Sequence, residues 1–486
     1  MNEIRQPQTP PHVDVAIVGA GPAGLAAASA AVAQGASVAV IDSAEQPGGQ
    51  FWRHRSEAAR VADDGAFHHG WSDYLQLRSS FDAGVASGRI RYVPATSVWF
   101  ARQLGDGRFA LELAPSHGAG VAAIPSLRAA KLILATGGYD RQLPIPGWDL
   151  PGVMAAGGIQ AFVKQNGMLP GSRFVIAGTG PFLLPVAANI VQAGGTVAAV
   201  CESANLTGWL PRAHRAAGVP SKAIEGLEYT RVFLRHRIPY RVRTVITEIL
   251  GEDRVRAVRT ARVDARGAVV AGSERDIEGI DGVGLGWGFT PQMELPVQLG
   301  VETRVDADGS LVGVVDEACR SSVPGLFLAG ELTGVGGAVL AVIEGRIAGR
   351  AAGSAAMRAA IGPPTAQERR AVNRQRSFAN AMHRAHPVPA GWQDRLHDDT
   401  VVCRCEEVPA GALHRANTEL AAEDLRTQKG VTRAGMGWCQ GRVCGFAVSC
   451  LSAPADPAPQ ASLSTSAKRP VAQPIPLGAL AELADD

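Results

Sequence analysis

The chain has 486 residues, enough for two to four domains with large cores. Its 47 basic and 45 acidic residues leave a net charge of +2, which favours neither nucleic acid nor an anionic membrane as a partner. No apolar run reaches about twenty residues without a glycine or a charge, so no membrane span is predicted. Seven cysteines, four of them clustered, are atypical of a secreted disulfide framework, and the polar N-terminus lacks a basic-then-apolar signal. We therefore expect a cytoplasmic protein.

The first predicted unit is a strand, a glycine-rich turn, an alanine-rich helix and a second strand. Val13–Val18 forms the first strand, the turn carries Gly19, Gly21 and Gly24, and the second strand ends in Asp42. In such a pattern the first glycine permits the tight turn, the second lets the backbone approach a pyrophosphate, and the third lets helix and strand pack closely. The helix N-terminus faces the phosphates, and Asp42 is placed to accept a hydrogen bond from an adenosine ribose. The pattern predicts a dinucleotide-binding Rossmann unit.

Later segments resemble the remaining FAD contacts of two-domain flavoproteins. Gln46–Gln50 resembles the segment that wraps the FAD pyrophosphate, and Lys131–Gly138 resembles the strand that leaves the FAD domain. Gly330-Glu331 resembles the strand end whose carboxylate holds a ribityl hydroxyl, with Glu in place of Asp. Gly336–Ala338 is predicted to begin a helix that faces the flavin pyrimidine carbonyl. The predicted FAD-binding residues are Gly19, Gly21, Ala23, Gly24, Asp42, Gly49, Gln50, Thr136, Gly137, Gly330, Glu331, Gly337 and Ala338.

A second glycine-rich turn predicts another Rossmann-like unit, inserted into the first. It carries Gly178 and Gly180, and the following strand ends at Glu202, an acid that would favour NAD over NADP. Leu183 stands where the third glycine belongs, so we expect it to hold helix and strand apart and to narrow the cofactor cleft. Three alternatives stay open: NAD(H) bound at Gly178, Gly180 and Glu202, an adenine nucleotide there, or a vestigial domain.

Four cysteines near the end of the chain form two close pairs. Cys403 and Cys405 make a CxC pair, and Cys439 and Cys444 follow after about thirty residues. Four thiolates suit a 2Fe–2S cluster or a structural zinc, although zinc pairs are usually CxxC. The segment resembles the small helical 2Fe–2S domain of bacterioferritin-associated ferredoxin, but its second pair is CxxxxC rather than CxxC. We predict a 2Fe–2S cluster held by all four, with zinc and unligated thiols as alternatives. The second pair is expected to begin a helix.

Taken in order, these elements resemble the larger NAD(P)/FAD-type subunit (alpha or A) of bacterial dye-linked amino-acid and opine dehydrogenases. That group includes the A subunit of opine oxidase, the B subunit of hydrogen cyanide synthase and the alpha subunits of proline and D-hydroxyproline dehydrogenases. The most specific marks are Gly178–Leu184, Gly435–Arg442 and the stretch Arg469–Leu477. The resemblance implies a smaller D-amino-acid-oxidase-like flavoprotein partner that oxidises a C–N bond. It also implies two optional additions, an FMN at the interface between subunits and a small third 2Fe–2S subunit.

The predicted fold is α/β, with two Rossmann-like dinucleotide-binding domains arranged as in glutathione-reductase-like flavoproteins and a small helical 2Fe–2S domain of bacterioferritin-associated-ferredoxin type. The predicted boundaries are 1–150 for the first part of the FAD-binding domain, 151–280 for the inserted second nucleotide-binding domain, 281–362 for the return part of the FAD-binding domain, 363–400 for a linker and helix, 401–450 for the 2Fe–2S-binding domain and 451–486 for an extended C-terminal tail.

The predicted function is electron transfer within a hetero-oligomeric amino-acid, opine or amine dehydrogenase. In this interpretation the chain binds FAD and a 2Fe–2S cluster and passes electrons from the partner's flavin to a quinone, a dye or a protein acceptor. No CxxC occurs in the chain, which argues against a dithiol reductase. The alternatives are an NADH-dependent flavin/iron–sulfur reductase and a zinc-containing scaffold protein. No catalytic residue can be named from the sequence.

Overall fold

The fold is taken from a computed structural model, in which residues 11–57, 64–116 and 124–452 are described, together with 463–464, 469, 471–475, 477 and 480. The first ten residues and most of the predicted C-terminal tail lie outside the described residues. Among the helices described, none is long and apolar enough to cross a membrane.

The first unit is a seven-stranded sheet with helices on its faces. The elements are β1 (His12–Val18), α1 (Pro22–Val32), β2 (Val38–Ile41), α2 (Trp71–Ala86), β3 (Ile90–Val93), β4 (Thr96–Gln103), β5 (Phe109–Pro115) and β6 (Ser126–Leu134). Strands run in the order β3-β2-β1-β6-β5-β4, and strand Leu326–Leu328 from later in the chain pairs with β6. The inner strands are parallel, whereas β4, β5 and β6 form antiparallel pairs.

The second unit is a five-stranded parallel sheet, with a three-stranded antiparallel sheet beside it. The chain enters and leaves through an antiparallel pair formed by its first and last strands. The elements are β7 (Gly138–Asp140), β8 (Val153–Ala155), α3 (Ala156–Asn166), β9 (Arg173–Gly178), α4 (Leu183–Gln192), β10 (Thr196–Glu202), α5 (Ala213–Ala217), α6 (Pro220–Arg235), β11 (Tyr240–Val242), β12 (Thr244–Leu250), β13 (Ala257–Arg262), β14 (Arg275–Glu278), β15 (Gly282–Gly286) and β16 (Phe289–Pro291).

The boundary predicted at residue 280 falls too early. The parallel sheet has the order β11-β10-β9-β15-β8, so β15 hydrogen-bonds between β9 and β8 and belongs to the second unit. The chain returns to the first unit only after Gly286. The reason is that the glycine-rich stretch Gly282–Gly286, where the chain was expected to be back in the first unit, is a buried strand of the second sheet.

The returning chain completes the first unit and then adds a long helix. Its elements are α7 (Glu294–Gln298), β17 (Thr303–Val305), β18 (Leu311–Gly313), β19 (Leu326–Leu328), α8 (Ala338–Ala356) and α9 (Ala366–Ala385). Small residues let α8 lie against α1, since a Cβ on Gly345 or Gly349 would come 2.2 Å from the carbonyl oxygen of Ala23 or Ala27. The predicted charged helix is confirmed as α9, and Thr365 and Glu368 begin it with a capping box.

The cysteine segment folds into short helices that pack on the second unit. Its elements are β20 (Val401–Cys403), β21 (Val408–Pro409), α10 (Ala410–Leu420), α11 (Leu425–Thr432) and α12 (Gly445–Ser452). Cys403 and Cys444 share one apolar core with Trp148 and Trp287 of the second unit. The Arg404 guanidinium lies over the Trp148 ring, 5.2 Å from its centre. Because this core is continuous, the cysteine segment is held directly against the second unit.

Candidate functional site

The first glycine turn is packed so tightly that side chains are excluded at most of its positions. A Cβ on Gly24 would fall 1.8 Å from the Gly19 carbonyl oxygen, and one on Gly19 would fall 2.4 Å from the Ala135 carbonyl oxygen. Gly49 approaches the turn from the other side, where its Cβ would lie 2.8 Å from Gly21 Cα. Gly21 differs, because its own Cβ would meet only Gly49 Cα, at 3.8 Å, and would point into open cavity. This is the space that a pyrophosphate needs.

Asp42 lies at the end of β2, beside the turn. Its carboxylate accepts hydrogen bonds from the backbone N–H groups of Ala20 and Ala44, the latter at 2.7 Å. Burial raises the pKa of Asp42, while these two bonds and the charge of Arg53 oppose that effect. The side chain remains 8% exposed and lines the large cavity described below. Its position therefore fits the predicted contact with an adenosine ribose.

The flavin end of the predicted site is formed by two loops. Gln292 donates its backbone N–H to the Gly137 carbonyl at 2.9 Å, which holds the loop after β6. Glu331 turns back on its own loop, and its carboxylate accepts the N–H groups of Gly336 at 3.2 Å and Gly337 at 3.0 Å. Burial raises the pKa of Glu331 to about 7. Glu331 therefore stabilises the start of α8 in this structure, a role that the expectation of a ribityl ligand did not include.

One cavity of about 2310 Å³ joins these loops to the second unit. Typical ligand pockets measure roughly 300–1,000 Å³, so this space exceeds the need of a single cofactor. The predicted FAD residues that line it are Gly19, Gly21, Ala23, Asp42, Gly49, Gln50, Thr136, Gly137, Gly330, Glu331, Gly337 and Ala338. Gly24 does not line it, which agrees with a purely packing role. The residues present thus fit FAD, with adenosine expected near Asp42 and flavin near Gly137 and Gly337.

The second glycine turn also lines the cavity, but the expectation for Leu183 is wrong. Gly178 and Gly180 form the turn, and Thr179 and Gly180 face the cavity. Leu183 is fully buried and points into the core, where it packs against Gly286 of β15. A Cβ on Gly286 would come 3.1 Å from a Leu183 methyl group, so the glycine of β15 supplies the room that the missing third glycine would have left. Leu183 does not narrow the cleft.

Glu202 is placed differently from Asp42. It is fully buried, and its carboxylate accepts the N–H groups of Gly180 at 2.9 Å and Ala204 at 2.8 Å. The carboxylate also lies against the Tyr240 hydroxyl and against His386, the residue at the end of α9. An acid with no accessible surface cannot accept a bond from a ribose as the side chains stand, which contradicts the role predicted for Glu202.

The four cysteines of the predicted cage converge in two pairs. The Cys444 thiol hydrogen-bonds to Cys403, and together with the N–H groups of Gly435, Glu406 and Cys405 it lowers the pKa of Cys403 to about 6. Cys405 and Cys439 form the second pair. The first pair is buried, whereas Cys405 is exposed and Cys439 half-buried. The pKa of Cys444 is raised by its bond to Cys403, by burial, and by the charges of the three other cysteines.

This convergence fits a four-thiolate ligand set, but the side chains are not arranged as ligands. Within the described residues, no three His, Cys, Asp or Glu side chains are placed to hold a metal ion. The Gly435 N–H points at Cys403 Sγ from 3.4 Å, a contact typical of cluster sulfurs. The structure thus places Cys403 beside Cys444 and Cys405 beside Cys439.

The helix expected from Cys439 onward begins later. Residues 438–444 form consecutive turns, and α12 starts only at Gly445. Gln440 and Gly441 both have positive φ, of 56° and 76°, and two left-handed residues in a row cannot belong to a right-handed helix. Arg442 in this loop makes a buried ion pair with Glu294 of α7 at 2.9 Å. This ion pair therefore fixes the turns that carry Cys439 and Cys444 against the first unit.

Several charged residues of the site could not be found from sequence motifs. Glu344 of α8 accepts the N–H of Gly330 at 3.1 Å and pairs with Arg376 of α9 at 2.6 Å. Lys164 of α3 donates to the Phe51 carbonyl at 3.1 Å, and burial lowers its pKa to about 8. Asp140 accepts the N–H of Gly157, and burial raises its pKa to about 6. Each lies in an ordinary-looking helix or strand, so only the three-dimensional contacts mark it.

Comparison with known proteins identifies the family. The model of the pyridine nucleotide-disulphide oxidoreductase family matches residues 13–347. The A subunit of opine oxidase from Rhizobium meliloti (strain 1021) is 33% identical, over 97% of this chain and 99% of its own length. The HcnB subunit of hydrogen cyanide synthase from Pseudomonas aeruginosa is 32% identical, over 88% of this chain and 90% of its own length.

Solved structures agree with this result at the level of the fold. L-proline dehydrogenase from P. horikoshii is similar with a TM-score of 0.66 and 18% identity, covering 97% of this chain and 80% of that one. Thioredoxin reductase from T. acidophilum is similar with a TM-score of 0.51 and 24% identity, covering 71% of this chain and 99% of that one. The resemblance predicted from the motifs is confirmed, and this chain belongs to the pyridine nucleotide-disulphide oxidoreductase family, with that family's α/β flavoprotein fold.

Proposed function

We propose that this chain is the FAD- and 2Fe–2S-binding electron-transfer component of a hetero-oligomeric amino-acid, opine or amine dehydrogenase. The partner would be a smaller D-amino-acid-oxidase-like flavoprotein that oxidises a C–N bond, and the acceptor a quinone, a dye or a protein. Support comes from relatives named as oxidase or synthase subunits that match almost the whole chain. An interface FMN and a small third 2Fe–2S subunit belong to the same proposal.

One observation carries the proposal: the predicted flavin cavity reaches the cysteine segment. Phe446 and Cys450 of α12 line this cavity, and α12 begins directly after Cys444. Arg141 packs its guanidinium 4.3 Å from the centre of the Phe446 ring. FAD accepts two electrons and can release them singly, and an iron–sulfur cluster takes one at a time. Proximity of the two predicted sites within one chain is what such a pairing requires.

The residues of this chain have separate tasks in that proposal. Gly21 and Gly49 leave room for the pyrophosphate, and Asp42 holds the adenosine end. The Glu344–Arg376 pair stabilises the turn at Gly330. On the cysteine side, the buried Cys403 and Cys444 face the protein interior, while the exposed Cys405 faces the solvent, where an acceptor arrives.

The second glycine turn keeps a smaller role. Thr179 Oγ1 is buried, has no hydrogen-bond partner among the described residues, and belongs to a residue that lines the cavity. A phosphate bound by Gly178 and Gly180 remains part of the proposal. NAD(H) held through Glu202 is disfavoured, because that carboxylate is covered. The reductase alternative is weakened accordingly.

Metal and flavin analysis with EPR of the dithionite-reduced protein tests the proposal against the zinc scaffold. The proposal expects about one FAD and two iron atoms per chain, and a one-electron iron–sulfur signal at low temperature. Zinc with no reducible flavin would establish the scaffold alternative. FAD without either metal would leave the cysteines as free thiols and remove the cluster from the function.

A further inference from the structure

Helix α9 lies C-terminal to the residues matched by the family model and lines the shared cavity. At the FAD side, Arg376 donates to the Gly334 carbonyl at 2.7 Å and His383 to the Val335 carbonyl at 2.8 Å. At the other side, a Cβ on Gly208 would lie 3.1 Å from the Ala385 carbonyl oxygen. The helix thus connects both dinucleotide units, and its last turn ends against the second one.

His386, the residue that ends α9, lies over the second glycine turn. It is 6% exposed, and a Cβ on Gly180 would be 3.9 Å from His386 Cβ. The Trp209 indole N–H donates to His386 Nε2 at 2.9 Å. Because an indole nitrogen only donates, Nε2 must accept, and the proton of the neutral ring is on Nδ1. That Nδ1 lies 3.3 Å from Oε2 of Glu202, within ion-pair distance but without the geometry of a hydrogen bond.

The His386 ring covers the part of the Glu202 carboxylate that its other partners leave uncovered. Backbone N–H groups of Gly180 and Ala204 occupy its two oxygens, and the Tyr240 hydroxyl approaches at 3.4 Å. In a Rossmann unit that binds NAD, the acid at this position accepts a hydrogen bond from the adenosine ribose. Here the His386 ring stands where that ribose would stand.

We propose that His386 is a specificity-determining residue that closes the second dinucleotide fold to NAD(H) by taking the place of the adenosine ribose at Glu202. Trp209 positions the ring, and α9 ties it to the FAD side of the cavity. The inference does not depend on the proposed electron-transfer function, because it concerns binding to the second fold alone.

Isothermal titration of the full-length holoprotein with NADH and with NAD⁺ tests this inference. Wild type is expected to bind neither more tightly than about 1 mM. His386→Ala should bind at least roughly tenfold more tightly, since it frees a charged acceptor for the ribose hydroxyls. The matched control is His414→Ala, an exposed histidine on α10, which should behave as wild type. Adding Glu202→Gln to His386→Ala should abolish the gain.

Two results would overturn the inference. One is wild-type binding of NADH well below 1 mM that Glu202→Gln removes, since Glu202 would then be accessible. The other is a folded His386→Ala variant, with normal flavin content and melting temperature, that binds no better than wild type. If His386→Ala does not fold, Trp209→Phe provides the comparison, because it removes the N–H that orients the ring. That variant should show a smaller gain, and no gain would again contradict the inference.

Discussion

The two dinucleotide units hold the acid after the glycine turn in the same way, but they differ in how accessible that acid is. Asp42 accepts N–H groups from Ala20 and Ala44, and Glu202 accepts them from Gly180 and Ala204. Asp42 is 8% exposed to solvent and lines the cavity, whereas Glu202 is fully buried. Tyr240 and His386 both lie against Glu202, and His386 comes from far along the chain. A glycine fingerprint therefore specifies the local fold, while distant residues decide whether the fold is open to a ligand.

The largest effect is expected from Gly21→Val, which breaks the open unit. The new side chain points into the space for the pyrophosphate, so flavin content should fall by at least roughly tenfold. The free energy of unfolding should change little, because the nearest atom to the new Cβ, Gly49 Cα, is 3.8 Å away. Absorbance at the flavin band and urea unfolding of the two proteins provide the measurement.

Gly24→Ala is the matched control in the same turn. Its Cβ would fall 1.8 Å from the Gly19 carbonyl oxygen, so it should lose stability, by about 3 kcal/mol or more. Full flavin content in Gly21→Val would show that the pyrophosphate does not bind at this turn.

Cys439→Ser tests the cysteine segment, which this chain has in addition to its two dinucleotide units. We expect loss of the iron–sulfur EPR signal with FAD retained, because serine is a poor substitute for a thiolate ligand. Cys201→Ala, a fully buried cysteine of β10, is the control and should keep the signal. A normal 2Fe–2S spectrum in Cys439→Ser would refute the ligand assignment.

Arg376→Leu tests the end of α9 that faces the FAD unit. It leaves Glu344, whose side chain is 5% exposed, as a buried carboxylate without its ion pair. We expect a loss of about 3 kcal/mol in the free energy of unfolding, measured in urea. Arg350→Leu, which breaks the more exposed pair with Glu368, should cost less than about 1 kcal/mol. Equal costs for the two variants would show that burial does not set the value of the Glu344 pair.

The smallest effect concerns pH. Burial raises the pKa of Glu331 to about 7 from an ordinary value near 4.5, so the folded protein binds the extra proton more tightly than the unfolded chain. Stability should therefore be higher at pH 5 than at pH 8, and fall between these values by about 1 kcal/mol, less than the full shift implies because the side chain is partly exposed. Glu331→Gln should flatten this part of the pH profile of urea unfolding. An unchanged slope would assign the pH dependence to other groups.

The features that depend on neighbours along the chain could be predicted from the sequence. The Gly19–Gly24 turn and Asp42 could be predicted, because strand, turn and acid follow one another within thirty residues. The packing of Leu183 could not be predicted, since the glycine that makes room for it lies 103 positions later, in β15. His386 and Trp209 carry no motif, and the turn at Gln440 and Gly441 was hidden in a helix-like spacing. What escaped prediction was contact between segments that are distant in sequence.

An anaerobic titration of the purified protein with NADH, followed by dithionite, tests the central claim most directly. We predict that NADH leaves the flavin absorbance unchanged, because the second unit is closed, and that dithionite then reduces the flavin and produces a one-electron iron–sulfur signal. Stoichiometric bleaching of the flavin by NADH would contradict the account. It would show that the second unit delivers electrons itself and that Gly178, Gly180 and Glu202 bind the nicotinamide cofactor.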